Sequence, residues 1–313
     1  MTREDAWPSG LVIIDKPGGM TSHDVVARVR RLARTRRVGH AGTLDPMATG
    51  VLVVGIEKAT RLLGHLMLTE KTYHATIRLG QATSTDDAEG EPTDGSSAAA
   101  VTAEALDDGI AGLTGEILQV PPGVSAIKVN GQRAYKLTRA GAAPELAARP
   151  VTVHEFTLVA TREHGDLLDV DAVVRCSSGT YIRALARDLG AALGTGGHLT
   201  ALRRTAVGPY TTAMARTLAD LEDQPQSPER GRVNPDPPVI PLADAAAAAF
   251  PRIDLTGDEA RRLAQGARLP LSPDVPLSPA GTEAPIAAFA PDGSFVALVT
   301  ATEGRLRSLA VFT

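Results

Sequence analysis

Six prolines (Pro225, Pro228, Pro235, Pro237, Pro238 and Pro241) fall within residues 224–241. Each locks its own φ and lacks a backbone donor, so neither a helix nor an interior strand can run through that stretch. The chain is therefore expected to divide there. A large α+β domain would occupy residues 1–223, a linker 224–239, and a small, mostly β domain 240–313. With 313 residues, of which 43% are hydrophobic, a core of normal size is available without staples.

Within the first part, hydrophobic patterning alternates between the two regular periods. Gly10–Lys16 (GLVIIDK) reads as a short buried strand ended by Pro17-Gly18-Gly19. Thr21 with Asp24 three residues on resembles a helix start, and Val25, Val29 and Leu32 mark the buried face of the helix that follows. Val38–Gly50 reads as a glycine-punctuated loop and Val51–Ile56 as a central strand. Over Thr72–Leu79 the alternation is strict: Tyr73, Ala75, Ile77 and Leu79 share one face, Thr72, His74, Thr76 and Arg78 the other. Gln81–Ser97 is polar and acidic and is expected to be a surface loop. Helices are expected over Val101–Leu113 and Thr180–Leu193, and strands over Val151–Ala160, Leu167–Cys176 and Leu199–Val207. After the prolines come a short helix near Thr256–Gly266 and a strand-rich end over Ile286–Phe312.

Several chemistries are excluded. One cysteine, Cys176, leaves no internal disulfide and no multi-cysteine metal site. The seven histidines are scattered without ligand spacing, and neither a phosphate-binding Gly-x-x-x-x-Gly-Lys loop nor a dinucleotide fingerprint occurs. No cofactor or metal is expected. No apolar run nears the ~20 residues of a membrane span, and the charged N-terminal stretch has no signal-peptide core, so a cytoplasmic location is expected. Ser22-His23-Asp24 looks like a catalytic triad only on paper, because adjacent helical residues point in different directions; capping is the expected role. The net charge of −4 hides blocks: +5 over residues 1–80, −9 over 81–120, +4 over 121–210 and −4 over 211–313. A basic face could hold phosphates while the whole stays acidic, since screening confines each field to roughly 8–10 Å. Solvated helix faces of varying sign would give the same blocks.

One carboxylate stands out. Asp45 lies in Gly42-Thr43-Leu44-Asp45-Pro46-Met47-Ala48-Thr49-Gly50, where flanking glycines permit tight turns and Pro46 biases Asp45 away from helix. Alone, an Asp before Pro is ordinarily a turn residue. In context, residues 39–50 (GHAGTLDPMATG) closely resemble the catalytic motif of the TruB family of tRNA pseudouridine synthases. Four further stretches resemble the same family, in its order: Leu11–Val26 (LVIIDKPGGMTSHDVV), Pro121–Gly141 (PPGVSAIKVNGQRAYKLTRAG), Cys176–Gly190 (CSSGTYIRALARDLG) and His198–Val207 (HLTALRRTAV). The tail from about residue 240 resembles, more weakly, that family's PUA-like RNA-binding module.

The resemblance implies the pseudouridine synthase fold: α+β, with a mixed, largely antiparallel central sheet, flanking helices and an RNA-gripping insertion at about 121–149. It also implies isomerisation of uridine 55 in the T-loop of tRNA, without external cofactor, metal or obligate protein partner, by a monomer. Asp45 would be the essential carboxylate, by covalent addition or by way of a glycal. Arg183 would keep it ionised through a paired hydrogen bond, against the tendency of a dry carboxylate to protonate. Tyr181 matches the residue that removes or relays the C5 proton, Tyr73 the aromatic that stacks on the base, Leu202 the apolar closure of the uracil pocket, and His40 the residue near the flipped nucleotide. Core packing would also account for Tyr73 and Leu202. Arg28, Arg31, Arg34 and Arg37, with Lys128, Arg133 and Lys136 of the insertion, are the expected phosphate contacts. Lys16 and Pro17 belong to a motif read as fixing a strand end. Two other readings within reach are a guide-RNA-dependent subunit and a non-catalytic tRNA-binding or folding factor. The first usually carries Lys-Val-Thr after the loop proline, where this chain has Met47-Ala48-Thr49. A carboxylate glycosidase would need a partner acid, and none is evident.

Overall fold

The computed structural model describes residues 6–124, 146–223, 237–271 and 284–313, with the backbone of 128–129 and 132–133. Most of the proline-rich stretch, Lys136, and the side chains of Lys128 and Arg133 lie outside the described residues.

The first buried strand forms as its apolar run dictates: β1 spans Gly10–Lys16. Helix α1, Ser22–Leu32, starts at a capping box in which Thr21 and Asp24 exchange hydrogen bonds, and it buries Val25, Val26 and Val29. The expected loop over 38–50 is shorter than the glycines suggest. Val38–Ala41 is a strand, β2, antiparallel to β3, Thr49–Ile56, with His40 opposite Val54. Pairing across β3 satisfies the backbone there, which overrides the local glycine signal. A helical turn, α2, covers Leu63–Leu66. Strand β4, Lys71–Leu79, keeps Tyr73, Ala75, Ile77 and Leu79 on its buried face, as the alternation requires.

Helix α3 (Ala103–Gly112) leads into β5 (Gly115–Gln119), and β6 (Arg149–His164) forms a long hairpin with β7 (Leu167–Cys176). Helix α4 spans Ile182–Ala192, β8 spans Gly197–Val207, β9 is Tyr210–Thr211, and α5 is Leu218–Glu222. At the end of the proline-rich stretch, β10 (Ile240–Pro241) pairs with β1, so the chain rejoins the first sheet before building a second. The resulting ten-stranded sheet runs β10-β1-β3-β8-β4-β7-β6-β5, with β2 beside β3 and β9 beside β8. Among the described strands of this sheet only β3 and β8 pair in parallel, with Thr49 opposite Arg203 and Gly50 opposite Arg204.

Helices α6 (Leu242–Ala249) and α7 (Gly257–Ala264) accompany the second sheet. Its strands are β11 (Arg252–Asp254), β12 (Leu269–Pro270), β13 (Ile286–Phe289), β14 (Phe295–Thr302) and β15 (Arg305–Val311), in the order β11-β13-β14-β15-β12. Phe250, Phe289, Phe295 and Phe312 share one hydrophobic cluster with Leu11, Val51 and Val53 of the first sheet. Arg61 and Lys58 donate to the carbonyls of Val311 and Phe312. The two sheets are thus welded through a common core. A separate cluster lies under α3 and α4 and includes Leu44, Ala48, Tyr73, Ile182 and Leu202.

Candidate active site

The segment between β2 and β3 is held from several directions. Gly42 and Gly50 adopt φ of +91° and +97°, which other L residues rarely adopt. A Cβ on Gly50 would also stand 2.2 Å from the Arg204 carbonyl oxygen, across the parallel β3–β8 pairing. Arg204, fully buried, donates from Nε to the Val51 carbonyl (2.8 Å) and from Nη2 to the Gly42 carbonyl (3.0 Å), gripping both ends of the loop. The buried Lys16 ammonium donates to the carbonyls of Pro46 (3.1 Å), Met20 (2.6 Å) and Pro17 (2.9 Å). Burial pushes its pKa down from the usual lysine value, and the nearby Asp45 charge opposes that shift. Ser22 does not cap its helix. Its Oγ accepts from the Leu44 N–H (2.9 Å) and donates to the Leu44 carbonyl (3.2 Å). The residue before Asp45 and the residue after it are therefore both tied down.

Asp45 meets Arg183 in a two-point fork: Nε to Oδ2 at 3.0 Å and Nη2 to Oδ1 at 3.1 Å. The arginine side chain is 5% exposed and the aspartate 34%. Two other segments hold the guanidinium. Nη1 donates to the Thr85 carbonyl (2.9 Å) and lies 3.5 Å from the buried Asp87 carboxylate, and Nη2 also reaches the Val124 carbonyl (3.0 Å). Asp87 in turn accepts from the Thr85 hydroxyl and the Glu89 N–H. The acidic stretch read as a surface loop thus supplies part of this site. Burial, together with the charges of Asp87 and Asp45, pushes the Glu89 carboxyl above its usual range.

Tyr73 and Leu202 lie in the same buried cluster as Leu44 and Ala48, the loop neighbours of Asp45. Burial raises the pKa of the Tyr73 hydroxyl, and the Arg204 charge opposes the rise. Tyr181, half-buried, precedes α4, two residues before Arg183. The site also contains Gln119, which no motif flagged: its buried amide donates to the Tyr181 carbonyl (3.1 Å) and accepts from the Tyr181 N–H (2.8 Å). His40 sits edge-on to His23 with ring centres 5.6 Å apart, its Nδ1 buried and unpaired, and burial lowers its pKa. A groove of about 460 Å³ opens beside the loop, with Met47, Thr49 and Leu202 in its wall; Asp45, Tyr73 and Arg183 are not part of that wall.

The structure brings Asp45, Arg183, Tyr73 and Leu202 to one region; the arginines of residues 28–37 have surroundings of their own. Arg28 pairs with Glu222 at 3.4 Å and Arg37 with Glu57 at 3.8 Å, Arg34 takes φ +52°, and Arg31 is exposed. Among the described residues no helix is long and apolar enough to cross a membrane.

The fold is that of the pseudouridine synthases: a mixed, largely antiparallel ten-stranded sheet that carries the Asp45–Arg183 pair, followed by a second, mostly β unit. The same fold occurs in a solved Cbf5–Nop10–Gar1 complex: TM-score 0.70, 26% identity, covering 97% of this chain and 84% of that one. The chain belongs to the TruB family. The TruB family pseudouridylate synthase N-terminal model matches residues 30–182, the tRNA pseudouridylate synthase B C-terminal domain 183–234, and the tRNA pseudouridine synthase II C-terminal model 250–313. Relatives named tRNA pseudouridine synthase B include one from an Arthrobacter species, 58% identical over 97% of this chain and 96% of its own length. Another, from Streptomyces griseus, is 56% identical over the full length of both.

Proposed function

We propose that this chain is an enzyme that isomerises uridine 55 in the T-loop of tRNA to pseudouridine, with Asp45 as the catalytic carboxylate. The observation that carries this reading is the Asp45–Arg183 fork, in which the acid is outermost and the base innermost. The overall change is balanced. The C1′–N1 bond breaks, the uracil turns in place, C5 bonds to C1′, the C5 proton leaves and N1 takes one up. Asp45 acts at the anomeric carbon, either capturing it or promoting elimination to a glycal. A glycosidase uses a second acid to manage water. Here water must be kept out, and one carboxylate suffices.

The fork fixes the orientation of the Asp45 carboxylate, because a guanidinium that donates to both oxygens leaves it little freedom to rotate. Tyr73 stacks on the base, Leu202 closes the uracil pocket, Tyr181 removes or relays the C5 proton, and His40 contacts the RNA near the extruded nucleotide. Extrusion costs a few kcal/mol. Basic residues of the insertion (Lys128, Arg133, Lys136), with Arg28, Arg31, Arg34 and Arg37, help to offset that cost through phosphate contacts. Residues 240–313 serve as a PUA-like RNA-binding unit beyond a linker at 224–239, and the protein acts as a monomer without guide RNA. Its relatives at 56–58% identity carry the tRNA enzyme's name over their full length, which favours this reading over that of a guide-dependent subunit.

The test uses unmodified tRNA transcript with tritium at uridine C5, purified protein, and neither guide RNA nor metal. Stoichiometric tritium release from one T-loop site is expected. Asp45→Asn should abolish release while tRNA binding survives. Release that needs an added guide, or binding without release by the intact protein, would overturn the proposal.

A further inference from the structure

Gln119 has a geometry that packing alone does not require. It ends β5, an edge strand of the ten-stranded sheet, and its side chain is 2% exposed. Both ends of its amide engage the backbone of a single residue, Tyr181, with the N–H donating at 2.8 Å and the carbonyl accepting at 3.1 Å. Tyr181 is the N-cap of α4, and its N–H, at the start of the helix, donates to Gln119 of another strand. Its carbonyl also accepts the first helical bond, from the Leu185 N–H at 3.2 Å. A two-point contact fixes the rotation of the Tyr181 peptide as well as its position. That orientation decides where the phenol projects and how the first turn of α4 offers Arg183 to Asp45.

The residues after Gln119 reinforce the same helix. Arg187, one turn beyond Arg183, donates to the Val120 carbonyl at 2.8 Å, and Arg183 itself donates to the Val124 carbonyl at 3.0 Å. Residues 119–124 thus frame three successive groups of α4: the backbone of Tyr181, the Arg183 fork and the Arg187 guanidinium. This is the root of the segment in which the RNA-gripping insertion is expected.

We propose that Gln119 is a positioning residue for the isomerisation, acting through the Tyr181 backbone to align Tyr181 and Arg183 with Asp45. The inference rests on the function proposed above. It requires that loss of the amide slow the chemical step and leave tRNA affinity alone, because Gln119 is buried and faces protein rather than RNA.

The experiment measures single-turnover tritium release at saturating enzyme, together with the tRNA Kd and the thermal midpoint, for wild type, Gln119→Leu and Gln119→Glu. For Gln119→Leu the rate should fall at least tenfold with Kd within about twofold of wild type and a fold intact at the assay temperature. Gln119→Glu keeps an acceptor for the Tyr181 N–H, and a buried glutamate that takes up a proton regains the donor to the carbonyl. Its rate relative to wild type should therefore climb as pH is lowered from about 8 to about 6. A merely structural role would not produce that recovery. If Gln119→Leu is too unstable to assay, the pH-dependent ratio for Gln119→Glu decides. Wild-type rates in both variants, or an affinity loss with an unchanged chemical step, would overturn the inference. If wild type itself releases no tritium, the proposed function fails instead.

Discussion

Two of the arginine–aspartate forks among the described residues have the same chemistry and opposite construction. At the site, Arg183 is 5% exposed and Asp45 34%. On the open face of the sheet, Arg78 bridges β4 to Asp169 on β7 with contacts of 2.7 and 2.8 Å, and there the arginine is 31% exposed and the carboxylate 8%. Arg78 also holds the Asp169 carboxyl below its usual range, mainly through those hydrogen bonds. Asp169 is committed to binding two strands together. Asp45 is committed only on the side facing Arg183, and Arg183 is in turn locked by the Thr85 and Val124 carbonyls. The carboxylate is the inner member of one fork and the outer member of the other, so burial order separates two ion pairs that distance alone would not.

The comparison can be broken at its base. Arg183→Lys keeps the charge but loses the fork, since an ammonium cannot present two parallel donors to a carboxylate. Single-turnover tritium release should fall about a hundredfold or more, with tRNA affinity little changed. A loss under about threefold would place the two forks in the same structural class.

A second test removes the loop's tether and keeps the fork. Lys16→Met leaves the Pro46, Met20 and Pro17 carbonyls without their buried donor. Urea unfolding should report a loss of about 2–3 kcal/mol, and the rate should drop with it because Asp45 is no longer held in place. Unchanged unfolding would show that the loop is rigid without Lys16.

The sheet fork sharpens the contrast from the other side. Asp169→Asn should cost about 1 kcal/mol at neutral pH and leave tritium release unchanged. The folded-state pKa of Asp169 is depressed, so its contribution is present above the unfolded value near 3.8 and lost as pH falls through the folded value. Denaturation midpoints of variant and wild type should therefore converge below about pH 4. A gap that persists at low pH would contradict the assignment.

The smallest effect on chemistry is expected from the basic residues of the insertion, whose proposed role is to bind phosphate. Arg133→Ala combined with Lys136→Ala should weaken tRNA binding and flatten the slope of log affinity against log salt by up to about two. The rate at saturation should stay the same. An unaltered slope in filter binding across a salt series would remove these two residues from the interface.

Periodicity was enough to place β1, α1, β4 and β7 to within a residue or two, because each carries its own apolar pattern and its own turn or cap signal. It missed β2, whose four residues around Gly39 become a strand only by pairing with β3. The motif pointed to Asp45 and Arg183 but not to what supports them. Thr85 and Val124 contribute carbonyls, and every residue has one. Asp87 lay hidden in a stretch whose acidity reads as solvent exposure, yet it is buried against Arg183. Gln119 precedes the matched stretch and bonds to backbone, for which no side-chain pattern exists.

By itself, then, the chain dictated the local elements and a lone carboxylate on a glycine-flanked turn, since hydrophobic period, φ limits and side-chain chemistry act over a few residues. Which carboxylate faces outward, and which arginine sits beneath it, depended on segments 40–140 residues away meeting in space. Burial and hydrogen-bond partners belong to the folded whole, and no short stretch of sequence contains them.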